Sequence, residues 1–560
     1  MANKILTPST LWQDFDDSLD LNVEETLVSN DNGTSTFSVR FLGRQTQEGR
    51  VRIYSQFSIP KGNKHSALLI LADANNSVCP ELMKRFTDKG FAVLMPDYRG
   101  KFENSENFTE YPNCISYANF KDAERHLYYA DESAKETCWY EWVAVARFCI
   151  KYLKSREDIE RIGVLGLKHG GEIAWQLMAT SPDLSCGVPV CAGGWMAYRD
   201  KFKFGESGEI KLDEERHRFL AGVDSQAYAP FVKCPVMMLS ATNDSYFDAD
   251  RAFDTYARIN PDMEKTFHFA SRYDGHIGST SLANLDLFFD KYLKDRAVFM
   301  PTPVEIVIDE DEDGELVAKL SMDRNGEFTE CKVFMAQDNP DATTRNWELC
   351  QLKKEGDYEA TFSLNAYENA KIVFAYAKAK YSCGFYVSSK IAVKRIEKKY
   401  KNLMPSSRIL YSSLNGTDSF MFDKGDKMFL ADCIIEDEKP LVQLIDAPCG
   451  IKGIYSPLGL KTYKISDSKY RPENNASLML DLYSLEPTNI EIAVKVFKDE
   501  TEQEFICIVE NEGGGVWHNK ILTAKDFKNE AGISLKDLNE GYALTFNCDK
   551  IFALNNLLWV

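Results

Sequence analysis

The sequence predicts a multidomain α/β plus all-β chain: a doubly wound sheet followed by two β-sandwiches. Three observations carry this reading. Up to Lys294, apolar strand-like runs alternate with helix-length segments, the pattern of a mainly parallel sheet with helices on both faces. Beyond residue 300, helical periodicity almost disappears and short alternating runs replace it. The 560 residues leave room for about three or four domains at roughly 150 residues each.

The elements follow in order. Residues 35–60 read as two strands around a polar turn, TFSVRFLGRQ and VRIYSQFSI. SALLILAD, at 66–73, is a continuous apolar run, as a strand buried on both faces requires. CPELMKRFTDKG is amphipathic and ends at Gly90, a helix C-terminus. FAVLMPDYRG, at 91–100, is the next buried strand, and residues 101–136 form a polar, aromatic insertion. WYEWVAVARFCIKYLKS is a helix. RIGVLGLKHGG is a buried strand that enters a Gly-rich turn and continues as helix EIAWQLMAT. LSCGVPVCAGGW, CPVMMLSATND and KTFHFA are further strands, and LANLDLFFDKYLK closes the series as an amphipathic helix. The first domain is therefore expected at 1–298.

Residues 299–398 hold PVEIVID, LVAKLSM, CKVFMAQ, YEATFSL, KIVFAYAKAKY and FYVSSKIAVKRI. Roughly seven short strands in about 100 residues suit an immunoglobulin-like sandwich. The polar run EKKYKNLMPSS leads into 399–560. There MFLADC, VQLID, ASLMLDLYS, NIEIAVKVF, EFICIV, YALTFNC and ALNNLLWV suit a jelly roll. The last of these runs is expected to insert into a sheet.

Lys and Arg number 66 against 85 Asp and Glu, so the net charge is −19. That argues against general affinity for DNA, RNA or anionic membrane, each of which needs a basic face. No run approaches a membrane span, and the N-terminal MANKILTPSTLWQDFDDSLDL lacks a basic-then-apolar leader. The 14 Cys are scattered through apolar runs with no CxxC pair, which excludes a zinc ribbon and points to buried thiols in a reducing compartment. A cytoplasmic chain is expected, with a small-molecule or saccharide ligand and with no metal, cofactor, nucleic-acid or membrane partner.

Over residues 66–294 the ordered motifs MPDYRG, GLKHGG, CPVMMLSATND, DGHIG and FFDKYLK resemble an α/β hydrolase. The resemblance is nearest to dienelactone hydrolase and acetyl xylan esterase-like members. It implies ester hydrolysis, with acylated carbohydrate as the substrate class. It also implies a nucleophile on a sharp strand-to-helix turn, backbone N–H groups that hold the oxyanion, and then an acid and a histidine later in the chain. The acid matches Asp244, with Asp248 close enough to serve instead, and the base matches His276.

Two positions depart from that pattern. Gly166-Leu167-Lys168-His169-Gly170 has Lys168 where Ser or Cys belongs, and Ala72-Asp73-Ala74-Asn75-Asn76 replaces the usual HG-type oxyanion turn. Three readings of Lys168 follow. The site is dead and the lysine tolerated; or hydrolysis survives through water activated by His276 and Asp244; or a neutral amine at a helix N-terminus forms a Schiff base with a carbonyl. A nearby Asp244 would oppose the last by favouring the ammonium.

His169 and Ala74 fall at the oxyanion positions. His169 either lines the pocket or caps the helix, and Trp195 either walls the pocket or fills the core. Asp244 also suits a plain β-to-α turn. Cys191 and Cys114 lie near pocket loops, where a buried core thiol is the simpler state. FAYAKAKYSCGFYVSS resembles immunoglobulin-like domains appended to carbohydrate-active hydrolases, which imply a spacer. The last segment resembles galactose-binding-like jelly rolls. These imply sugar stacking on Tyr455, Tyr463, Tyr470 or Trp517, though each ring equally suits a sandwich core. They also imply a structural calcium whose ligands have no readable motif.

Overall fold

The computed structural model describes residues 5–31, 33–76, 78–102, 105–198, 201–205, 212–244, 247–271, 278–423, 442–498 and 501–560. The first sheet has nine strands: β1 (Glu24–Asp31), β2 (Thr34–Thr46), β3 (Gly49–Pro60), β4 (His65–Leu71), β5 (Ala92–Pro96), β6 (Ile159–Leu167), β7 (Leu184–Val190), β8 (Val236–Ala241) and β9 (Lys265–Ser271). Their spatial order is β1-β2-β3-β5-β4-β6-β7-β8-β9. The pairs β1–β2, β2–β3 and β3–β5 are antiparallel, and every pair from β5 to β9 is parallel.

The helices among the described residues are α1 (Pro8–Leu11), α2 (Pro80–Thr87), α3 (Cys138–Ser155), α4 (His169–Thr180), α5 (Glu214–Gly222), α6 (Ser225–Tyr228), α7 (Ala249–Arg258) and α8 (Ser279–Lys294). Alternation along β4 shows why the fold is wound on both sides. Ala67, Leu69 and Leu71 join one core with Trp139, Trp142 and Trp175 of α3 and α4. Leu68 and Ile70 join the other with Leu82 of α2 and Leu285 of α8. A strand buried on both faces has no polar side to show, hence its unbroken apolar run. Among its described residues, the insertion at 101–136 carries short 3-10 turns and no α-helix or named strand.

The middle region packs two sheets. One holds β10 (Glu305–Glu310), β11 (Leu316–Ser321), β14 (Gln351–Glu355) and β15 (Glu359–Ser363); the other holds β12 (Phe328–Gln337), β13 (Glu348–Leu349), β16 (Ile372–Tyr381), β17 (Tyr386–Ser388) and β18 (Ala392–Arg395). The C-terminal region adds two more antiparallel sheets, in which the final strand Ala553–Trp559 pairs with Leu478–Tyr483, Lys452–Tyr455 and Ile409–Tyr411. The run MFLADC lies outside the described residues. The described cysteines are all free thiols and mostly buried; Cys114 is exposed. No helix among the described residues is long and apolar enough to cross a membrane.

The middle region is more than a spacer. Phe334, Trp347, Phe374 and Tyr376 belong to the same core as α3 and α4, while Val304 to Tyr400 supply half of the core under α2 and α8. It also braces edge strand β9, where Ser388 Oγ accepts from the Phe269 N–H at 3.0 Å and lies 3.1 Å from His268 Nδ1. Arg345 reaches into the first sheet's helical layer. Its guanidinium, fully buried, donates to both carboxylate oxygens of Asp250 on α7 at 2.7 and 2.9 Å. Its Nε donates to the Asn339 carbonyl at 3.1 Å, and its plane lies 3.8 Å from the Phe374 ring. Asn243, just after β8, donates to the carbonyls of Thr343 and Arg345 at 3.1 and 2.9 Å.

A buried pair is costly to break because the surviving charge has no water. Arg345→Met is expected to lower unfolding free energy by about 3–5 kcal/mol. The double variant Arg345→Met/Asp250→Leu is expected to recover most of that loss, since no charge is left stranded. Urea unfolding of the three chains measures both.

Candidate active site

The site forms where β6 turns into α4. Three glycines let the corner close. A Cβ on Gly170 would overlap the carbonyl oxygens of Leu71 and Ala72, one on Gly166 would overlap the Gly170 carbonyl, and one on Gly171 would overlap the Ala192 methyl. Between them Lys168 takes φ 49° and ψ −113°. A non-glycine residue held there stores about 1–3 kcal/mol of backbone strain. Backbone bonds hold it: the Lys168 N–H donates to the Val190 carbonyl at 2.9 Å, and the Lys168 carbonyl accepts from Gly171 at 2.8 Å. The turn is as sharp and strained as a nucleophile elbow, and the residue at its apex is a lysine, buried to 5% exposure.

Beside it, His169 Nδ1 donates to Asp73 Oδ1, and Asn75 donates to Asp73 Oδ2 at 3.1 Å. Asp73 and His169 are both buried. Burial works against the Asp73 carboxylate. The His169 bond and charge, then the Lys168 charge, outweigh it and hold the Asp73 pKa below the ordinary aspartate range. The His169 ring stacks on Trp139 at 5.8 Å and meets Phe120 edge-on at 5.7 Å. Phe120 comes from the 101–136 insertion, which thus walls the site.

The other expected residues follow parallel strands, so they gather at the same end of the sheet. Ala74 follows β4 and is fully buried. Asp244 follows β8, two strands from Lys168, is 2% exposed, and accepts from the Phe247 N–H at 3.2 Å. Asp248 caps α7, accepting from the Asp250 N–H at 2.9 Å and pairing with Arg251. Burial, then the Asp250 charge, pushes it up to about 6. Trp195 follows β7, donates its backbone N–H to Asp224 at 2.7 Å and its indole N–H to Thr255 at 3.0 Å, and is half-buried. Cys191 is buried at the end of β7. His276 lies outside the described residues. Of the three expected triad positions, the structure therefore places Lys168 and Asp244.

The sequence reading missed Asp73 as a partner, although the altered oxyanion turn was its signal. It also missed a buried carboxylate pair. Glu172 accepts from the Gly194 N–H at 3.0 Å and from Ser225 N–H and Oγ–H at 3.1 Å each; Asp224 accepts from Trp195 and Gln226. Burial first and the Asp224 charge second push Glu172 up to about 8, and burial pushes Asp224 upward as well. Their bonds pin the Gly193-Gly194-Trp195 loop, where Gly194 and Trp195 both have positive φ. Nothing in the string GGEIAW announces a partner 52 residues away. Among the described residues, no group of three His, Cys, Asp or Glu side chains could hold a metal ion.

The strand order and the elbow are those of an α/β hydrolase. Residues 55–268 match the profile of the dienelactone hydrolase family. Solved structures are similar over about half of the chain. Acetyl xylan esterase 1 from Thermoanaerobacterium sp. shares 17% identity, with 46% of this chain and 83% of that chain covered and a TM-score of 0.36. Acetyl xylan esterase from Paenibacillus sp. R4 shares 18%, with 48% and 87% covered and a TM-score of 0.36. Pyrococcus horikoshii acylaminoacyl peptidase shares 16%, with 50% and 43% covered and a TM-score of 0.34. A comparison with curated protein sequences finds no match. The family profile and the sheet order together mark an α/β-hydrolase fold in this region, similar to the dienelactone hydrolase family.

The raised Glu172 sets a pH dependence. Its folded pKa of about 8 exceeds the ordinary value, so its contribution to stability is complete at pH 4 and disappears as pH rises through 8. Glu172→Gln is expected to flatten the fall in stability between pH 5 and 8, by at most about 1.4 kcal/mol per pH unit. Urea midpoints across that range, compared between the two chains, test it.

Proposed function

We propose that this chain is an ester-hydrolase descendant whose pocket binds an acyl-bearing ligand, an acylated carbohydrate as the preferred class, without serine-type turnover. One observation carries the reading: the elbow keeps its strained turn and presents the ammonium of Lys168 beside the anionic Asp73. A hydroxyl nucleophile gives its proton to a histidine and becomes an alkoxide equivalent; an ammonium has no lone pair to give while protonated. In this reading Asp244 and His276 are what remains of the triad, and His169 and Ala74 supply the oxyanion-side backbone.

The flanking regions fit the same picture. Residues 299–398 are proposed as an immunoglobulin-like sandwich and 399–560 as a jelly roll that carries the saccharide-facing surface, in a cytoplasmic protein. The middle sandwich would act as a brace on α7 and β9, through Arg345 and Ser388.

Hydrolysis of p-nitrophenyl acetate tests the core of this. The wild type is expected to show no sustained turnover, and Lys168→Ser to gain it, with the gain abolished in Lys168→Ser/His276→Ala. Sustained turnover in the wild type that His276→Ala removes would overturn the reading.

A further inference from the structure

Replacing the nucleophile with an amine changes what an acyl ester would do at this turn. We propose that Lys168 is an acyl-acceptor site that takes one acyl group from an activated ester or thioester and keeps it as a stable amide. This rests on the preceding reading that the pocket holds an acyl-bearing ligand.

The geometry supplies what such a transfer needs. The turn between β6 and α4 fixes Lys168 at the position from which this fold attacks a carbonyl, with φ 49° enforced by contacts at Gly166, Gly170 and Gly171. The start of α4 follows at once, so backbone N–H groups and the positive end of the helix face the oxygen that becomes negative. The side chain is buried, so the attacking group is shielded from water that would otherwise compete for the ester. The Asp73–His169 pair stands beside it, and the Asp73 carboxylate is held in its charged form. That carboxylate favours the ammonium, so the reacting form is the neutral amine, whose share grows as pH rises.

The atoms balance without any further reagent. The Lys168 amine nitrogen bonds to the acyl carbon, and the bond from that carbon to the leaving oxygen or sulfur breaks. The ammonium first loses one proton to the buffer; after attack the nitrogen loses a second, which the departing alkoxide or thiolate takes up with the electron pair. The product differs from an acyl-serine in one decisive respect. An ester on serine is opened by water with the same histidine's help, whereas amide resonance in acyl-lysine makes that second step far slower. The elbow then completes half of an ester-hydrolase cycle and stops, with one acyl group per chain.

The experiment uses the full-length chain and p-nitrophenyl acetate as the donor. Intact mass and peptide mapping after short exposure are expected to show one acetyl group on Lys168. Its labelling should run about 10²-fold faster than that of exposed lysines such as Lys64 and Lys84, the scale of an oxyanion site's contribution. Lys168→Arg is expected to lose the fast phase and keep the slow surface labelling. Asp73→Asn, which removes a charge that favours the ammonium, is expected to speed labelling of Lys168 at neutral pH while leaving surface labelling unchanged. Unlabelled Lys168 together with turnover by Lys168→Ser would overturn this proposal and leave the pocket reading standing. Unlabelled Lys168 together with an inactive Lys168→Ser that folds as the wild type does would overturn both. Labelling of Lys168 no faster than that of the exposed lysines would overturn the proposal by itself.

Discussion

The corner between β6 and α4 closes only because Gly166, Gly170 and Gly171 have no side chains. The helix start can then press against the end of β4, and the residue between must adopt a left-handed conformation. Everything at this end of the sheet follows from that approach. The loop after β4 is brought against the first turn of α4, so Asp73 reaches His169. The loop after β7 is brought under Glu172, so its carboxylate can bind Gly194 and Ser225. Loosening the corner would separate all three loops.

Two departures from the hydrolase pattern, read separately in the sequence, become one change in the structure. Lys168 puts a positive charge into a buried turn, which is costly without a partner. Asp73, in the loop after β4, carries the opposite charge, and the histidine after the lysine bonds the same carboxylate.

The fold was readable where burial writes a pattern. β4, β5, β6 and β8 are buried on both faces, and their apolar runs named them. Strands without a buried face left no such mark. β1 is exposed along nearly its whole length, β14 is exposed at every residue, and neither was foreseen. The places of Lys168 and Asp244, just after β6 and β8, were legible because each follows a buried strand. Partners brought in from far along the chain were not. Asp250 meets Arg345 across 95 positions, and Glu172 meets Ser225 across 53; no local spacing encodes such a pair. The spacer role expected for the middle region failed for the same reason, since its shared core with α3 and α4 is a property of tertiary packing alone.

That shared core bears on how the chain is made. A ribosome delivers residues in order, and domains ordinarily fold as they emerge. Here the layer over α3 and α4 lacks Phe334, Trp347, Phe374 and Tyr376 until the chain has grown past them. Arg345, the only partner that buries the Asp250 charge in a salt bridge among the described residues, arrives equally late. The hydrolase-fold region is thus a nascent intermediate with an uncovered apolar face for about another hundred residues of synthesis. Apolar surface left uncovered over that interval is what favours misassembly of a growing chain.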